Sequence, residues 1–435
     1  MTVAYRGTSP LPASPPLTEP AKHKAAQPVR GVAGLLFVVP VFLLLTFSAG
    51  GAENSVRVLG PLCTYALPVI GMIAFWWEDW PGTALRAGWS GLTDTLLIVA
   101  SGVVLTPIGQ AVTGELDLAA IFRGEAYPHS MPLAGAVFVA FLQLTLVTEG
   151  WPLRRLPRVP AGLAALVVGW ALGLAIYRID GALLITMGVF QVLFFVTLRG
   201  WPFSKIANRA VRLIVGNLMV IVSGWLAFLI MDALRWPVFA VSACTIAAVL
   251  ISSMLFESWP WTKLSPRLGA VLAALALGGL LYWALSSVDP GLSGIHQDEW
   301  VAITALNAIG TGVILHVAVW RRWPVVQGGE VTIPAPIQAL LDAANANDID
   351  AFLGGFTPDG VVDDWGREFR GAQKIRHWSD NEFIGKQVSL QVEKAEQVED
   401  EIVVTAQVGG NGFNGPSHFS FRVEGNLVSR MTIRA

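Results

Sequence analysis

Charge is what this chain has least of. Asp, Glu, Lys and Arg make up only 14% of 435 residues, against 54% hydrophobic, a balance that excludes an ordinary soluble protein. Cysteine is almost absent. Cys63 and Cys244 both lie inside apolar runs, which excludes a disulfide framework and a paired-cysteine metal motif. A formal net charge of -2 gives no case for nucleic acid as a partner, and no glycine-rich phosphate loop marks a nucleotide motor. His129, His296, Asp298 and Glu299 lack metal-ligand spacing, so neither a metal nor a cofactor is expected.

What the chain has instead is a recurring dipeptide. Trp-Pro closes an apolar run at Trp80, Trp151, Trp201, Trp259 and Trp323, with a charge two residues earlier each time (Glu78, Glu149, Arg199, Glu257, Arg321). Trp favours the headgroup level, Pro cannot continue a helix that has just left the bilayer, and the charge belongs in water. These five Trp residues are therefore read as membrane-interface turns. Apolar runs long enough to span a hydrocarbon core fall near 31–50, 58–77, 91–113, 132–148, 161–178, 181–198, 210–234, 238–256, 266–287 and 299–320. The five turns follow the even-numbered runs and so share one side. Sixteen basic residues lie on that side and four on the other, which places the turns and both termini in the cytoplasm of a protein integral to the inner or plasma membrane.

The predicted organisation is a disordered cytoplasmic tail, 1–30, with six prolines; a polytopic, mostly α-helical ten-span bundle of helical-hairpin repeats, 31–324; a linker, 325–333; and a soluble α+β domain, 334–435. The repeat is a pair of spans, with the last span a half unit. Gly169 and Gly173, or Ala243 and Ala247, stand four apart, the spacing that lets helices approach closely in lipid. The segment 115–127 has the make-up of a short amphipathic helix at the interface. Mid-span polar groups are the amides Gln143, Gln191 and Asn307, suited to interhelical hydrogen bonds. In the last domain, helical spacing at Ile337, Leu340, Leu341 and Ala344 precedes alternating runs at 388–392, 402–408, 419–423 and 428–433, which predict antiparallel strands.

The stretch from Phe356 to Gly366, FTPDGVVDDWG, continuing to Phe369-Arg370-Gly371 and Ile375-Arg376-His377-Trp378, resembles the SnoaL-like branch of the nuclear transport factor 2-like superfamily. The likeness covers about residues 334–435, its motif positions being Asp364, Gly366, Gly371, Ile375 and Trp378; the spans resemble no family. The resemblance implies a cone-shaped α+β fold around an apolar pocket, often dimeric, in a superfamily of cyclases, isomerases, dehydratases and binding modules. By position it places Trp378, Phe383 and Phe413 at a ligand pocket, with Asp364, His377 and His418 as candidate catalytic residues. The domain has no tyrosine, which sets it apart from the ketosteroid isomerase branch, where a Tyr and a protonated Asp hold an oxyanion.

A carboxylate beside an imidazole in an apolar pocket suits proton abstraction next to a carbonyl. The same Asp364 at a strand end also suits a plain turn hydrogen bond. The leading expectation is that the domain binds, and in an enzymatic version cyclises or isomerises, a small hydrophobic metabolite near the bilayer, since a linker of about ten residues at ~3.3 Å each holds it close. The alternatives are a transporter with a regulatory or dimerising C-terminal domain, and a structural scaffold.

Overall fold

A computed structural model describes residues 27–77, 80–82, 85, 87–114, 116–125, 127–260, 266–324, 333–398, 401–411 and 415–434. The tail before residue 27, the linker residues 325–332, Glu78 and Phe413 lie outside the described residues. The chain divides into two compact units, a helical one and an α+β one.

Among the described residues the helical unit has nine helices long and apolar enough to cross a membrane: α1 Val29–Phe47, α2 Ala52–Trp76, α3 Gly88–Thr113, α4 His129–Val147, α5 Arg158–Ile176, α7 Arg209–Ala233, α8 Val238–Leu255, α9 Arg267–Ser286 and α10 Gln297–Val319. The sixth expected span is the shorter apolar helix α6, Gly181–Thr197, about 25 Å long at ~1.5 Å per residue. Burial separates two classes. In α2, α4, α8 and α10 between 61% and 72% of the apolar window is buried, against 17% to 28% in α1, α3, α5, α7 and α9. The even helices therefore form an inner ring, in which α2 meets α4, α4 meets α6, α6 meets α8, α8 meets α10 and α10 returns to α2. Each outer helix packs on the inner helix before it, α3 on α2, α5 on α4, α7 on α6 and α9 on α8, while α1 packs on α10. The last span, expected as a half unit, thus has the first span as its outer partner.

Glycine makes these inner-outer contacts close. A Cβ on Gly173 would lie 2.6 Å from Val137 Cα, on Gly224 2.9 Å from Met187 Cα, and on Gly278 3.0 Å from Thr245 Cα. Val137, Met187 and Thr245 each stand fourteen residues before the Trp of their own Trp-Pro turn, so the three pairs meet at the same depth in the fold. Backbones that touch at this distance gain dispersion contact that lipid cannot supply.

All five inner helices end in a π-helical turn, at Met72–Trp76, Gln143–Val147, Leu193–Thr197, Leu250–Leu255 and Leu315–Val319. The backbone N–H of Trp80, Trp151, Trp201, Trp259 and Trp323 then donates to the carbonyl three residues back, at 2.8 to 3.0 Å. The five Trp-Pro peptide bonds are cis, a feature Trp236-Pro237 does not share. Glu149, Arg199, Glu257 and Arg321 occupy left-handed backbone at φ 48 to 53, which turns the chain back before the Trp. Between α3 and α4 a short helix, Leu118–Arg123, is capped by Asp117, whose carboxylate accepts from the N–H of Ala119 and Ala120; it leaves Leu118 and Phe122 exposed.

The α+β unit has helices α11 Ala335–Asn345, α12 Ile349–Gly354 and α13 Ala372–Glu382. Its strands are β1 Phe356–Asp364, β2 Arg367–Arg370, β3 Ser389–Val398, β4 Glu401–Gly409, β5 Gly415–Glu424 and β6 Leu427–Arg434. They form one sheet in the order β2-β1-β6-β5-β4-β3. The four strands expected from alternation pair antiparallel, but β1 runs parallel to β6, so the whole sheet is mixed. Register shifts at Val392/Lys394 and Arg422/Val423 add local bend and twist to the strands. Ile337, Leu340 and Leu341 of α11, Ile375 and Trp378 of α13, and Phe419, Phe421, Met431 and Ile433 of the sheet make the core.

Candidate functional site

The site grows out of the β1–β2 hairpin. Asp364 pairs with Arg367 in register, leaving a two-residue loop, Trp365-Gly366, with φ of 54 and 88. Two positive φ values define the tight turn that follows strand twist, and a glycine at its second position fits it at no steric cost. Gly371, at φ 79, then lets β2 break directly into α13.

Successive strand residues face opposite ways, so the doublet Asp363-Asp364 is split between the two faces of the sheet. Asp364 shares its face with the buried Val362 and accepts from the Trp378 indole Nε1 at 3.2 Å. It also pairs with Arg367. Arg367 is held on its other side by Glu382, at 3.0 and 2.7 Å, and this guanidinium keeps the Glu382 carboxyl below its ordinary value. Beside these groups lies an open groove of about 640 Å³. Phe369, Trp378, His377, Asn381, Arg367, Glu368 and Glu382 line it. Asn381 Nδ2 donates to the His377 carbonyl at 2.7 Å. Phe369 stacks on Trp378 with ring centroids 5.9 Å apart and carries the Arg367 guanidinium 5.6 Å from its ring, so the arrangement offers a ligand the exposed part of Phe369, an imidazole and an amide.

Trp378 and Phe383 are 2% and 6% exposed and stack on each other with ring centroids 5.0 Å apart. Phe383 packs further against Phe352 and Phe419. Of Trp378 and Phe383, Trp378 reaches the groove. His418 is not with Asp364. Its neighbour Phe419 points into the core, so His418 is exposed on the other face of the sheet, with Nδ1 3.1 Å from Thr405 Oγ1. His377 is exposed at the groove. Phe413 lies outside the described residues.

Asp363, which sequence reasoning passed over, is the more heavily bonded acid. It accepts from Arg434 and Arg430, each at 2.9 Å, and from the Gly366 N–H at 2.8 Å. The Arg434 hydrogen bond is the largest cause that holds its carboxyl down from 3.8 to about 2. Arg430 also pairs with Glu368 at 2.7 Å. The signal was present in β6, where Arg430, Thr432 and Arg434 alternate with the buried Met431 and Ile433.

In the helical unit the amides bond between helices. Gln191 Nε2 donates to Gln143 Oε1 at 2.6 Å and Gln143 Nε2 to Asn217 Oδ1 at 2.7 Å, so α6, α4 and α7 are linked in a row. At the turns Trp80, Trp151 and Trp259 are 40%, 43% and 44% exposed. The Arg267 guanidinium lies 5.0 Å over the Trp201 ring, and Trp323 stacks on Trp320. Glu149 takes Arg212 at 2.7 Å, and Glu257 takes both Arg30 and Arg322 at 2.9 Å. No three His, Cys, Asp or Glu side chains among the described residues come together as a metal site.

No known family pattern matches the chain, and no curated protein matches it. Among solved structures, a proposed polyketide cyclase from Sinorhizobium meliloti is similar at 24% identity and a TM-score of 0.22, over 24% of this chain and 99% of its own. A protein of ketosteroid isomerase-like fold from Catenulispora acidiphila, in complex with trimethylamine, is similar at 22% identity and 0.22, over 24% and 87%. A Mycobacterium tuberculosis protein in complex with estradiol-17beta-hemisuccinate is similar at 16% identity and 0.21, over 23% and 90%.

Proposed function

We propose that this is an integral membrane protein, with its Trp-Pro turns and both termini in the cytoplasm, whose α+β unit binds a small, flat, mainly apolar molecule in the groove between β2 and α13. The observation that carries the reading is the groove itself, lined by Phe369 and Trp378 together with Arg367, Glu368, Glu382, His377 and Asn381. Aromatic residues beside convergent polar groups supply the apolar contact and the orienting partners that a small-molecule site needs. Binding is favoured over catalysis because the Asp364 carboxylate is already engaged by Trp378 and Arg367, and His418 lies on the other sheet face. His377 is then a contact for the polar end of the ligand.

Hydrogen exchange on the full-length protein in native membranes, compared with protein washed through detergent to strip bound small molecules, tests this. The reading predicts that protection over 367–382 falls on stripping and returns when the membrane extract is added back. Unchanged exchange there would contradict it.

A further inference from the structure

Where α1, α2 and α10 meet, and the ring of helices closes, the interior carries a cavity of about 10 Å³, measured as room for a water's centre, which is about one water's worth. Thr46 of α1, Ser55 of α2, and Thr304 and Asn307 of α10 line it. Thr46 and Thr304 are 1% and 2% exposed, and the hydroxyl of neither has a hydrogen-bond partner.

Thr311 of α10 shares this state, whereas other helical threonines of this fold do not. Thr64, Thr95, Thr106, Thr186 and Thr245 are also helical, and each gives its hydroxyl proton to the carbonyl four residues back. This local bond is the ordinary way to satisfy a threonine inside a helix. Thr46 and Thr304 had the Phe42 and Trp300 carbonyls at the same offset and do not use them. A buried hydroxyl left unpaired costs free energy that a shared partner in the cavity would recover.

We propose that this cavity binds one structural water molecule, which bridges Thr46, Thr304 and Asn307 and so ties α1 and α10 together. Asn307 has an acceptor to offer. Thr64 Oγ1 lies 2.8 Å from Gly60 O, 2.9 Å from Asn307 Nδ2 and 3.3 Å from Asn307 Oδ1; its single proton goes to the shorter acceptor contact, and an amide oxygen has two lone pairs, so Asn307 Oδ1 keeps acceptor capacity. Ser55 Oγ accepts from the Ala49 N–H at 3.0 Å, which leaves its own proton to give. The π-helical turn Thr304–Gly310 widens α10 at this level. The ligand is neutral because no carboxylate, amine, guanidinium or imidazole lines the cavity, and an ion buried without a counter-charge is costly.

Density for the full-length protein at a resolution that shows ordered water, together with melting of T46V, T304V and the double variant in nanodiscs, decides the matter. A water within hydrogen-bond reach of both hydroxyls and of Asn307 Oδ1 is expected. Each single variant should melt about 2 to 4 °C lower, and the double by less than the sum, because both hydroxyls share one molecule. Hydroxyls turned onto the Phe42 and Trp300 carbonyls with no water between them would overturn the proposal, as would additive losses. A melting temperature that responds to sodium replaced by choline would assign the site to a cation instead. Should either variant fail to fold, the density of the unsubstituted protein decides alone.

Discussion

The Trp378 indole donates to the Asp364 carboxylate at 3.2 Å, which fastens α13, the helix that carries His377 and Asn381, to the end of β1. The same carboxylate reaches Arg367, so one acid holds two of the residues that line the groove. Replacing Asp364 with Ala removes an acceptor from a buried indole and a partner from Arg367, a loss of about 1 to 2 kcal/mol. Hydrogen exchange in 372–382 should quicken about tenfold. Asn at this position keeps an acceptor for the indole and should recover most of the protection; equal loss in both variants would show that the hydrogen bond does not hold the helix.

Phe369 and Trp378 both face the groove but differ in burial, which separates binding from folding. Trp378 is 2% exposed and its removal should cost about 3 to 5 kcal/mol, enough to loosen the whole unit. Phe369 is only half-buried. Phe369→Ala should leave the unit folded by hydrogen exchange while weakening ligand retention about tenfold, the equivalent of losing one aromatic contact.

Asp363 gives a pH dependence of definite sign. Its folded value is held at about 2 against 3.8 when free, so well above pH 3.8 the carboxylate is charged in both states and its contribution is complete. As pH falls through 3.8 the unfolded chain takes up the proton first, and stability declines until the folded form also protonates near pH 2. Asp363→Asn should cost about 2 to 3 kcal/mol at neutral pH. The difference between wild type and variant should shrink between pH 4 and 2. A difference constant across that range would remove the carboxylate as its source.

Gly278 and Gly279 are adjacent in α9 but meet different surroundings. A Cβ on Gly278 falls 2.9 Å from Thr245 Oγ1 and 3.0 Å from its Cα, whereas one on Gly279 meets nothing within 4 Å. Gly278→Ala should destabilise the helical unit by about 1 to 3 kcal/mol. Gly279→Ala should be neutral or gain up to about 1 kcal/mol from helix propensity. Melting in nanodiscs distinguishes them, and like behaviour of the two would deny the close approach.

Much of this was legible because long apolar runs bounded by charge and Trp-Pro leave few structures besides a helix. The apolar runs located nine long helices and the short α6, and Gly173 against Val137 is a close approach of the kind its spacing implied. The ring was not legible, since the return of α10 to α2, with α1 packed on α10, joins the two ends of the unit and no local pattern records it. In the α+β unit the alternation of β3 to β6 was readable, but the parallel pairing of β1 was not, because a strand's own residues do not state the direction of its neighbour. The Asp363-Asp364 doublet misled for a physical reason. Only the register against β6 shows which carboxylate faces the core, and that register gives Asp363 to Arg430 and Arg434.

Native mass spectrometry of the full-length protein, released gently from its membranes beside Phe369→Ala and Asp364→Ala, tests most directly whether the groove holds a ligand. The account predicts a reproducible small-molecule adduct on the wild type that is reduced in both variants while the protein stays folded. An adduct of equal abundance in all three, or none in any, would contradict it.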